Sequence, residues 1–325
     1  MTRAGSGALI TGIRGQDGWY LARRLLELGY RVIGTSHQRD HAGSIAIDGQ
    51  DVPVVAVDLG DLASIEDVIR RERPDEIYNF AARASSAQLF DDPLATADIN
   101  GVAVARLLEA IRRERPEARF CQASSSEIFA GAAVSPQDET TPVQPINAYG
   151  AAKAFADHLI AAYRRSCGLF ACSAILYPHE SPRRPVHFLV RKLAHAAARV
   201  AAGLEDRIAI GDLSAVRDWG YAPDTVEAMR RMLQQAEPRD YVIATGQPHT
   251  VQDVCEAAFA HVGLDWRRHV VVDDQLVRGP EAALRIGDPS RARAELNWAP
   301  SLTFAQLIGH IVDSDRRRLG AEHMD

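Results

Sequence analysis

Three glycines follow the first apolar run of the chain, and their spacing constrains the fold more than any other feature. Residues 8–11 form a short apolar run typical of a buried strand, and Gly12, Gly15 and Gly18 come directly after it. The first glycine can turn the chain at positive φ, the second lets a pyrophosphate approach the backbone, and the third lets the next helix lie close to the sheet. The N-terminus of that helix offers free N–H groups to phosphates. The sequence therefore predicts a dinucleotide-binding turn, with a plain tight turn as the alternative.

Apolar runs alternate with helical patterns through the first half of the chain. The strand-like runs are residues 8–11, 31–34, 52–57, 76–80, 119–123 and 170–176, and the helical patterns are residues 17–28, 62–72, 94–114 and 150–165. Nearly continuous apolarity is typical of parallel strands that are covered on both faces. The alternation predicts an α/β fold, a Rossmann-like doubly wound parallel sheet with right-handed crossovers.

The alternation changes after residue 176. The remaining patterns predict helices at 187–202, 223–235, 251–262 and 303–316, strands at 241–244 and 270–272, and a short element at 207–210. We therefore expect residues 1–176 to form the dinucleotide-binding domain, with later returns to it near 212–245. Residues 177–325 should mainly form a smaller mixed α/β lobe that binds the substrate.

Composition excludes several functional classes. The 325 residues carry a formal charge of −6, which argues against a nucleic-acid partner. No apolar run approaches the ~20 residues of a membrane span, and the first residues contain no charged-then-apolar leader, so we expect a cytoplasmic protein without membrane contact. The cysteines form no C-x-x-C pair, and the histidines have no partners at ligand spacing, so no metal site is predicted.

Tyr149 and Lys153 are four residues apart, which places them on one face of a helix. An ammonium near the phenol should lower the pKa of the tyrosine. The phenolate could then accept a proton from a sugar hydroxyl while hydride leaves the same carbon, and Lys153 could also hold the nicotinamide ribose. The alternative is a surface Tyr–Lys pair.

Ser125 and Glu127 follow the strand predicted at 119–123. Ligands of open α/β sheets bind outside the carboxyl ends of the strands, so the Ser125 hydroxyl could bond the substrate hydroxyl that Tyr149 deprotonates. Glu127 adds a carboxylate that a simple oxidoreductase does not need. It could move a proton on a neighbouring carbon, or it could be a surface residue that caps a loop.

With these residues in view, the chain resembles the extended short-chain dehydrogenase/reductase family. Within that family it is most similar to the GDP-mannose 4,6-dehydratase subgroup, nearly from end to end. The segments that carry the resemblance are residues 10–18, 74–79, 122–127, 147–153, 179–184, 217–220, 241–246 and 287–289.

The resemblance implies a catalytic role for four residues. Ser125 would contact the 4-hydroxyl of the sugar, and Glu127 would be the general base at C5. Tyr149 would be the base at the 4-hydroxyl, with Lys153 as its partner. The family's cycle oxidises C4 with transfer of hydride to NADP, removes the C5 proton and the 6-hydroxyl as water, and returns the hydride to C6.

Other matching residues would bind the substrate. Arg217 and Arg278 would hold the nucleotide diphosphate through bidentate contacts, and Glu281 would contact the nucleotide, with surface ion pairs as the alternative for all three. The full set implied for a GDP-sugar is Ser85, Glu127, Arg184, Arg217, Arg278 and Glu281.

The cofactor is expected to be NADP rather than NAD. NAD binding usually needs an acidic residue after the second strand, and this chain has none there; Ser36 and Arg39 could instead hold a 2′-phosphate. Asp58 and Leu59 should contact the adenine. The full predicted cofactor set is Gly12, Gly15, Gln16, Asp17, Gly18, Ser36, Arg39, Asp58, Leu59, Ala81, Ala82, Tyr149, Lys153 and His179.

Departures from the subgroup lie on the sugar side of the implied pocket. Pro178 replaces the usual Asn, and residues 83–85 and 185–187 also differ. We therefore keep a GDP-manno-heptose beside GDP-mannose as a possible substrate. The alternative functions are an NADPH-dependent reductase of a 4-keto-6-deoxy sugar, a C3/C5 epimerase and a non-catalytic NADP-binding regulator. The resemblance also implies a homodimer or homotetramer.

Overall fold

The computed structural model describes residues 5–83, 92–276 and 284–322. Its strands are β1 Gly7–Thr11, β2 Arg31–Ser36, β3 Gly43–Ile47, β4 Gln50–Ala56, β5 Glu76–Asn79, β6 Arg119–Ala123, β7 Ala171–Leu176, β8 His179–Glu180, β9 Ile208–Ile210, β10 Val216–Arg217, β11 Gly220–Tyr221, β12 Tyr241–Ile243, β13 His249–Thr250 and β14 Val270–Val272. Its helices are α1 Gln16–Glu27, α2 Leu62–Glu72, α3 Pro93–Ala97, α4 Ala103–Glu114, α5 Ala148–Cys167, α6 Leu189–Ala201, α7 Ala222–Met232, α8 Val251–His261, α9 Ser290–Leu296 and α10 Phe304–Glu322.

Eight strands form one sheet in the order β12-β7-β6-β5-β1-β2-β4-β3. Every neighbouring pair is parallel except β3 and β4, which are antiparallel. The predicted α/β fold is therefore confirmed. After β1 the chain continues to β2, β3 and β4 on one side of β1 and then crosses to β5 on the other side. The switch point where such folds bind ligands therefore lies beside the carboxyl end of β1.

Helices cover both faces of the sheet. The apolar sides of α1, α7 and α9 form one buried layer, with Leu21, Leu25 and Met229 at its centre. On the other face, α2 and α4 pack with α5, and Leu107 and Ile160 lie in that layer. Because both faces are covered, the strands can be apolar throughout, as the sequence suggested.

A separate cluster lies beyond the sheet. Apolar side chains of α6, α8 and α10 surround β9 and β14, and Phe259 and Ile308 are fully buried there. Three further two-stranded ladders pair β10 with β13, β11 with β8 and β14 with β9. Among the strands described after β7, β12 alone joins the main sheet, where it pairs in parallel with β7.

The structure differs from the predicted elements in three main places, and the two-residue strands β8, β10, β11 and β13 were also not predicted. The edge strand β3 was not predicted, because its residues are mostly exposed and lack a strong apolar pattern. The helix expected over 94–114 is divided into α3 and α4 by a π-helical turn at Asp98–Val102. There the Asn100 amide exchanges two hydrogen bonds with the backbone of Arg83, at 2.9 and 3.1 Å. The third difference is α9, which is too short to show a helical period.

Among the described residues, no helix is both long enough and apolar enough to cross a lipid bilayer. The same residues contain no cluster of histidine, cysteine, aspartate and glutamate side chains that could hold a metal ion. Cys121, Cys172 and Cys255 are buried free thiols, and Cys167 is an exposed one.

Candidate active site

A line of hydrogen-bonded side chains crosses the carboxyl ends of three central strands. The Thr11 hydroxyl donates to the Asn79 side chain, and the Asn79 amide donates to Gln122 Oε1 at 2.7 Å. Gln122 and Lys153 both donate to the carbonyl oxygen of Ala123, at 2.8 and 2.7 Å. These contacts join the end of β1 to the lysine of α5, so both predicted motifs belong to one site.

The glycine turn has the shape that the sequence predicted. Gly12 has a φ of +69°, and a Cβ there would lie 3.0 Å from the backbone nitrogen of Ala81. Gly15 is the extended residue before α1, and its N–H donates to the Gly12 carbonyl at 2.9 Å. A Cβ at Gly18 would lie 2.5 Å from the Gly12 oxygen. The turn and the first helical turn are therefore in contact at backbone level, which leaves the N-terminus of α1 open to a ligand.

The first turn of α1 is bonded to the segment that follows β7. Asp17 forms an ion pair with His179 at 3.0 Å. Gln16 donates to the His179 carbonyl at 3.2 Å, and the Ser181 hydroxyl donates to Gln16 Oε1 at 2.7 Å. Burial opposes charge on both members of the ion pair, but their mutual attraction outweighs it, so the pKa of Asp17 is lowered and that of His179 is raised.

Ser125 and Glu127 lie on a short turn after β6. Ser125 caps the 3-10 turn Ser126–Phe129, and its hydroxyl accepts the Glu127 N–H at 3.2 Å. The turn touches the start of α5, since a Cβ at Gly150 would lie 2.6 Å from the Glu127 carbonyl oxygen. Only glycine fits this close approach, which brings Tyr149 next to both residues.

Both carboxylate oxygens of Glu127 have partners. Asn147 caps α5 through its Oδ1 and donates its amide to Glu127 Oε2 at 2.8 Å. Arg285 forms an ion pair with Glu127 Oε1, and its side chain is 13% exposed. Sequence reasoning missed Arg285, which is 158 residues away along the chain; no local motif marks it. The proposed base is therefore oriented from two sides.

The predicted effect of Lys153 on Tyr149 is wrong for this structure. The lysine Nζ is 5.6 Å from the centre of the tyrosine ring. Burial raises the pKa of Tyr149 to about 12, which the hydrogen bond with Ser125 partly offsets and the Glu127 charge increases. Burial also lowers the pKa of Lys153 to about 8, and this lysine is only 2% exposed. The sequence could not show that both side chains are buried from solvent, and this burial dominates their pKa values.

The predicted adenosine end of the cofactor site is more open. Ser36 ends β2, and its hydroxyl accepts the N–H of Gln38 at 3.3 Å. Arg39 lies in a 3-10 turn just beyond it. Asp58 is exposed and accepts the Gly60 N–H at 2.7 Å, whereas Leu59 is buried.

Arg14 adds a positive charge near that end, which sequence reasoning had not assigned. Its guanidinium donates to the carbonyls of His41 at 2.9 Å and Ser44 at 3.1 Å. The glycine turn is thereby bonded to the loop that follows β2.

The predicted substrate residues are only partly within the described chain. Arg184 is partly buried, and its guanidinium stacks 3.6 Å from the centre of the Phe188 ring. Arg217 forms isolated backbone pairing with Arg285, which brings it to the Glu127 side of the cleft. Ser85, Arg278 and Glu281 lie outside the described residues. Ala81 and Ala82 follow β5 at the same edge as the glycine turn, and the Ala81 N–H donates to the Thr11 hydroxyl at 3.1 Å.

A dinucleotide fits this arrangement. Its pyrophosphate could rest against the glycine turn, where any side chain at Gly12 or Gly18 would meet backbone atoms. Tyr149 and Lys153 line the neighbouring strand ends. These residues supply backbone donors at one end of the cleft and proton-transferring groups at the other.

Comparison with known proteins shows the family of the chain. A sequence profile described as GDP-mannose 4,6 dehydratase matches residues 9–311. The chain belongs to the GDP-mannose 4,6-dehydratase family. GDP-mannose 4,6 dehydratase 1 of Arabidopsis thaliana is 40% identical over 95% of this chain and 89% of the relative. GDP-mannose 4,6-dehydratase of Vibrio cholerae is 38% identical over 95% of this chain and 93% of the relative.

Comparison with solved structures shows a similar fold. UDP-glucose 4-epimerase of Thermus thermophilus, in complex with NAD, superposes with a TM-score of 0.81 at 27% identity, covering 95% of this chain and 99% of the epimerase. The resemblance predicted from the sequence motifs is thus confirmed at the level of family and fold. The site of this family member brings together Ser125, Glu127, Tyr149 and Lys153, together with two residues that the motifs had not assigned, Asn147 and Arg285.

Proposed function

We propose that the protein is a nucleotide-sugar 4,6-dehydratase that converts GDP-mannose, or a related GDP-manno-sugar, to its 4-keto-6-deoxy derivative. The observation that carries the proposal is the pairing of two proton-transferring groups in one cleft. Tyr149 lies beside Ser125, and Glu127 lies on the same turn with its carboxylate held by Arg285 and Asn147. A reductase needs the tyrosine and the lysine but has no C5 proton to move.

Each residue has a defined task in the proposed reaction. Ser125 orients the sugar 4-hydroxyl, and Tyr149 accepts its proton while C4 is oxidised. This step needs the phenolate, so positive charge from Lys153 and from an oxidised nicotinamide ring must offset the burial that raises the pKa of the phenol. The resulting 4-ketone acidifies the C5 proton, which the Glu127 carboxylate accepts. The same carboxyl then gives that proton to the 6-hydroxyl, which leaves as water. C5 regains a proton from solvent when C6 is reduced, and Tyr149 releases the 4-hydroxyl proton to solvent. Lys153, held by the Ala123 carbonyl, supplies positive charge beside the phenol.

The glycine turn, Tyr149 and Lys153 would hold a nicotinamide dinucleotide. That group would supply the hydride transfer between C4 and C6, so no reductant would be consumed. We infer that this cofactor is NADP. Residues 34–39, at the end of β2 and just beyond it, contain Ser36 and Arg39 and no acidic residue, and the Arg14 guanidinium contacts the same loop. Positive charge there favours a 2′-phosphate over a free hydroxyl.

The substrate proposal assigns the diphosphate to arginines. Arg217 and Arg278 would bind it, Arg184 and Ser85 would face the sugar, and Glu281 would contact the nucleotide. GDP-manno-heptose is a second candidate substrate, because Pro178 and residues 185–187 depart from the dehydratase subgroup on the sugar side of the implied pocket.

The division of labour along the chain is part of the same proposal. Residues 1–176 with β12 would hold the cofactor, and residues 177–325 would mainly hold the sugar nucleotide. We also infer a homodimer or homotetramer, since Leu94 is 83% exposed and Phe155 is 47% exposed on adjoining helices.

The Glu127→Gln variant tests the assignment. Glutamine keeps the shape of the side chain and a partner for Asn147, but it cannot accept the C5 proton. We expect dehydration of GDP-mannose to fall by about 100-fold or more, while the cofactor binds as in the unaltered enzyme. Solvent deuterium should no longer enter C5 of the sugar.

A matched control replaces an exposed carboxylate that lies near the amino ends of the strands, away from the cleft. Glu237 is exposed in the segment that leads into β12, and Glu237→Gln should dehydrate the substrate at the unaltered rate. Unchanged dehydration by Glu127→Gln would remove the dehydratase assignment. Reduction of a 4-keto-6-deoxy sugar by either variant, with consumption of NADPH, would favour the reductase instead.

A further inference from the structure

A carboxylate that no motif marked lies one helical turn beyond the active-site lysine. Asp157 follows Lys153 by four residues on α5, so both side chains point toward the same strands. The Ser124 hydroxyl donates to Asp157 Oδ2 at 2.5 Å, and the Ser173 hydroxyl donates to Oδ1 at 2.7 Å. Ser124 directly follows β6, and Ser173 lies on β7. The carboxylate is thus fixed between the helix and the sheet.

The lysine itself is buried without a close counter-charge. Lys153 is 2% exposed, and its Nζ donates to the Ala123 carbonyl at 2.7 Å. None of the ion pairs found among the described residues includes Lys153. A buried ammonium that lacks compensation tends to lose its proton. Asp157 is the carboxylate whose charge opposes that loss.

We propose that Asp157 is a positioning residue for the catalytic lysine: its carboxylate, braced by Ser124 and Ser173, is the counter-charge that keeps the Lys153 ammonium protonated beside Tyr149. The inference rests on the proposed function only in taking Lys153 as catalytic. The ammonium must carry its proton to attract the phenolate oxygen and to donate hydrogen bonds.

The charges around Asp157 support this role. Burial raises its pKa to about 7, against the two serine hydrogen bonds that lower it. The carboxylate of Asp240 raises it further, and Lys153 lowers it. Asp240 is itself paired with Arg164 at 2.6 Å, which limits its influence. The pKa of Lys153 stays at about 8 even with this help, so loss of the Asp157 charge should deprotonate the lysine near neutral pH.

Removal of the charge can be separated from removal of the bracing. In Asp157→Asn the side-chain amide can still bond both serines, but the negative charge is gone. In Ser173→Ala the charge stays and one hydrogen bond is lost. If Asp157 were only a structural link between helix and sheet, both variants should lose stability and the titration of Lys153 should not change. The proposed role predicts a change in that titration for Asp157→Asn and little change for Ser173→Ala.

The chain permits a direct measurement, because it contains only two lysines, Lys153 and Lys192. Protein labelled with ¹³C at the lysine ε-carbon gives two resonances, and a Lys192→Arg variant assigns them. We expect the Lys153 resonance to titrate roughly one pH unit lower in Asp157→Asn than in the unaltered protein. An unchanged midpoint would overturn the proposal.

The unaltered protein provides a second test if Asp157→Asn does not fold. The Lys153 resonance should show a smaller inflection near pH 7, where the neighbouring carboxyl of Asp157 gains its proton; its absence would contradict the proposal. Neither titration uses a substrate, so both outcomes stand even if the dehydratase assignment fails. In the active enzyme, Asp157→Asn should also shift the alkaline limb of the kcat profile to lower pH.

Discussion

Replacement of Gly18 by alanine should weaken cofactor binding by an amount that the geometry allows us to estimate. The added Cβ would lie 2.5 Å from the Gly12 oxygen, 2.6 Å from the Ile13 Cα and 3.0 Å from the Gly12 carbonyl carbon. Non-bonded heavy atoms prefer separations of about 3.5–4.0 Å, so α1 or the glycine turn must move by roughly 1 Å. All three neighbours are backbone atoms, and no flexible side chain can give way.

The expected cost combines two opposing terms. Overpacking of this kind costs about 3 kcal/mol at the upper end of its usual range, whereas alanine is more favourable than glycine in a helix by about 1 kcal/mol. In the free protein the turn can relax and relieve the contact, whereas bound NADP requires the original shape. The net cost of about 2 kcal/mol then appears in binding and corresponds to roughly a 30-fold weaker Kd. The Kd for NADP is measured by isothermal titration calorimetry.

A glycine with free space supplies the control. Gly320 lies near the end of α10, and a Cβ there would meet nothing within 4 Å. Gly320→Ala should bind NADP with unaltered affinity and unfold at the same or a slightly higher urea concentration. Unaltered NADP affinity in a folded Gly18→Ala protein would refute the argument that close backbone contact shapes the phosphate site.

Two further predictions concern the ion pairs of the site. Arg285→Leu removes the ion pair with Glu127 and leaves the hydrogen bond from Asn147, so the carboxylate should lose its fixed orientation and kcat should fall by about 100-fold. Steady-state assays that show an unchanged kcat would contradict this. In Asp17→Asn the ion pair with His179 is lost. The ion pair stabilises the unaltered protein only between the lowered pKa of the aspartate and the raised pKa of the histidine. The difference in unfolding free energy between the unaltered protein and Asp17→Asn should therefore be largest between about pH 4 and 6.5. A difference in urea denaturation that does not change with pH would contradict this prediction.

Local patterns predicted the parts of the site whose chemistry depends on short spacing. Gly12, Gly15 and Gly18 must be close in sequence to shape one turn, and Tyr149 and Lys153 share a helix face through their four-residue separation. The parallel sheet followed from the alternation of apolar runs with amphipathic helices. Such features can be predicted from the sequence because residues close together in the chain determine them.

Long-range contacts account for what could not be predicted. Arg285 reaches Glu127 from near the end of the chain, and the serine contacts of Asp157 come from two different strands. The raised pKa of Tyr149 depends on burial, which appears only after folding. The interruption of the helix at Asn100 likewise follows from hydrogen bonds to a distant backbone segment.

Dehydration of a GDP-sugar with catalytic cofactor tests the central claim most directly. The enzyme would be incubated with GDP-mannose, and separately with a GDP-manno-heptose, in the presence of a trace of NADP or of NAD, and the products weighed by mass spectrometry. We predict loss of one water from the sugar nucleotide without net formation of NADPH, and the faster substrate identifies the sugar. Intact substrates, together with NADPH-dependent reduction of a 4-keto-6-deoxy sugar nucleotide, would contradict the account.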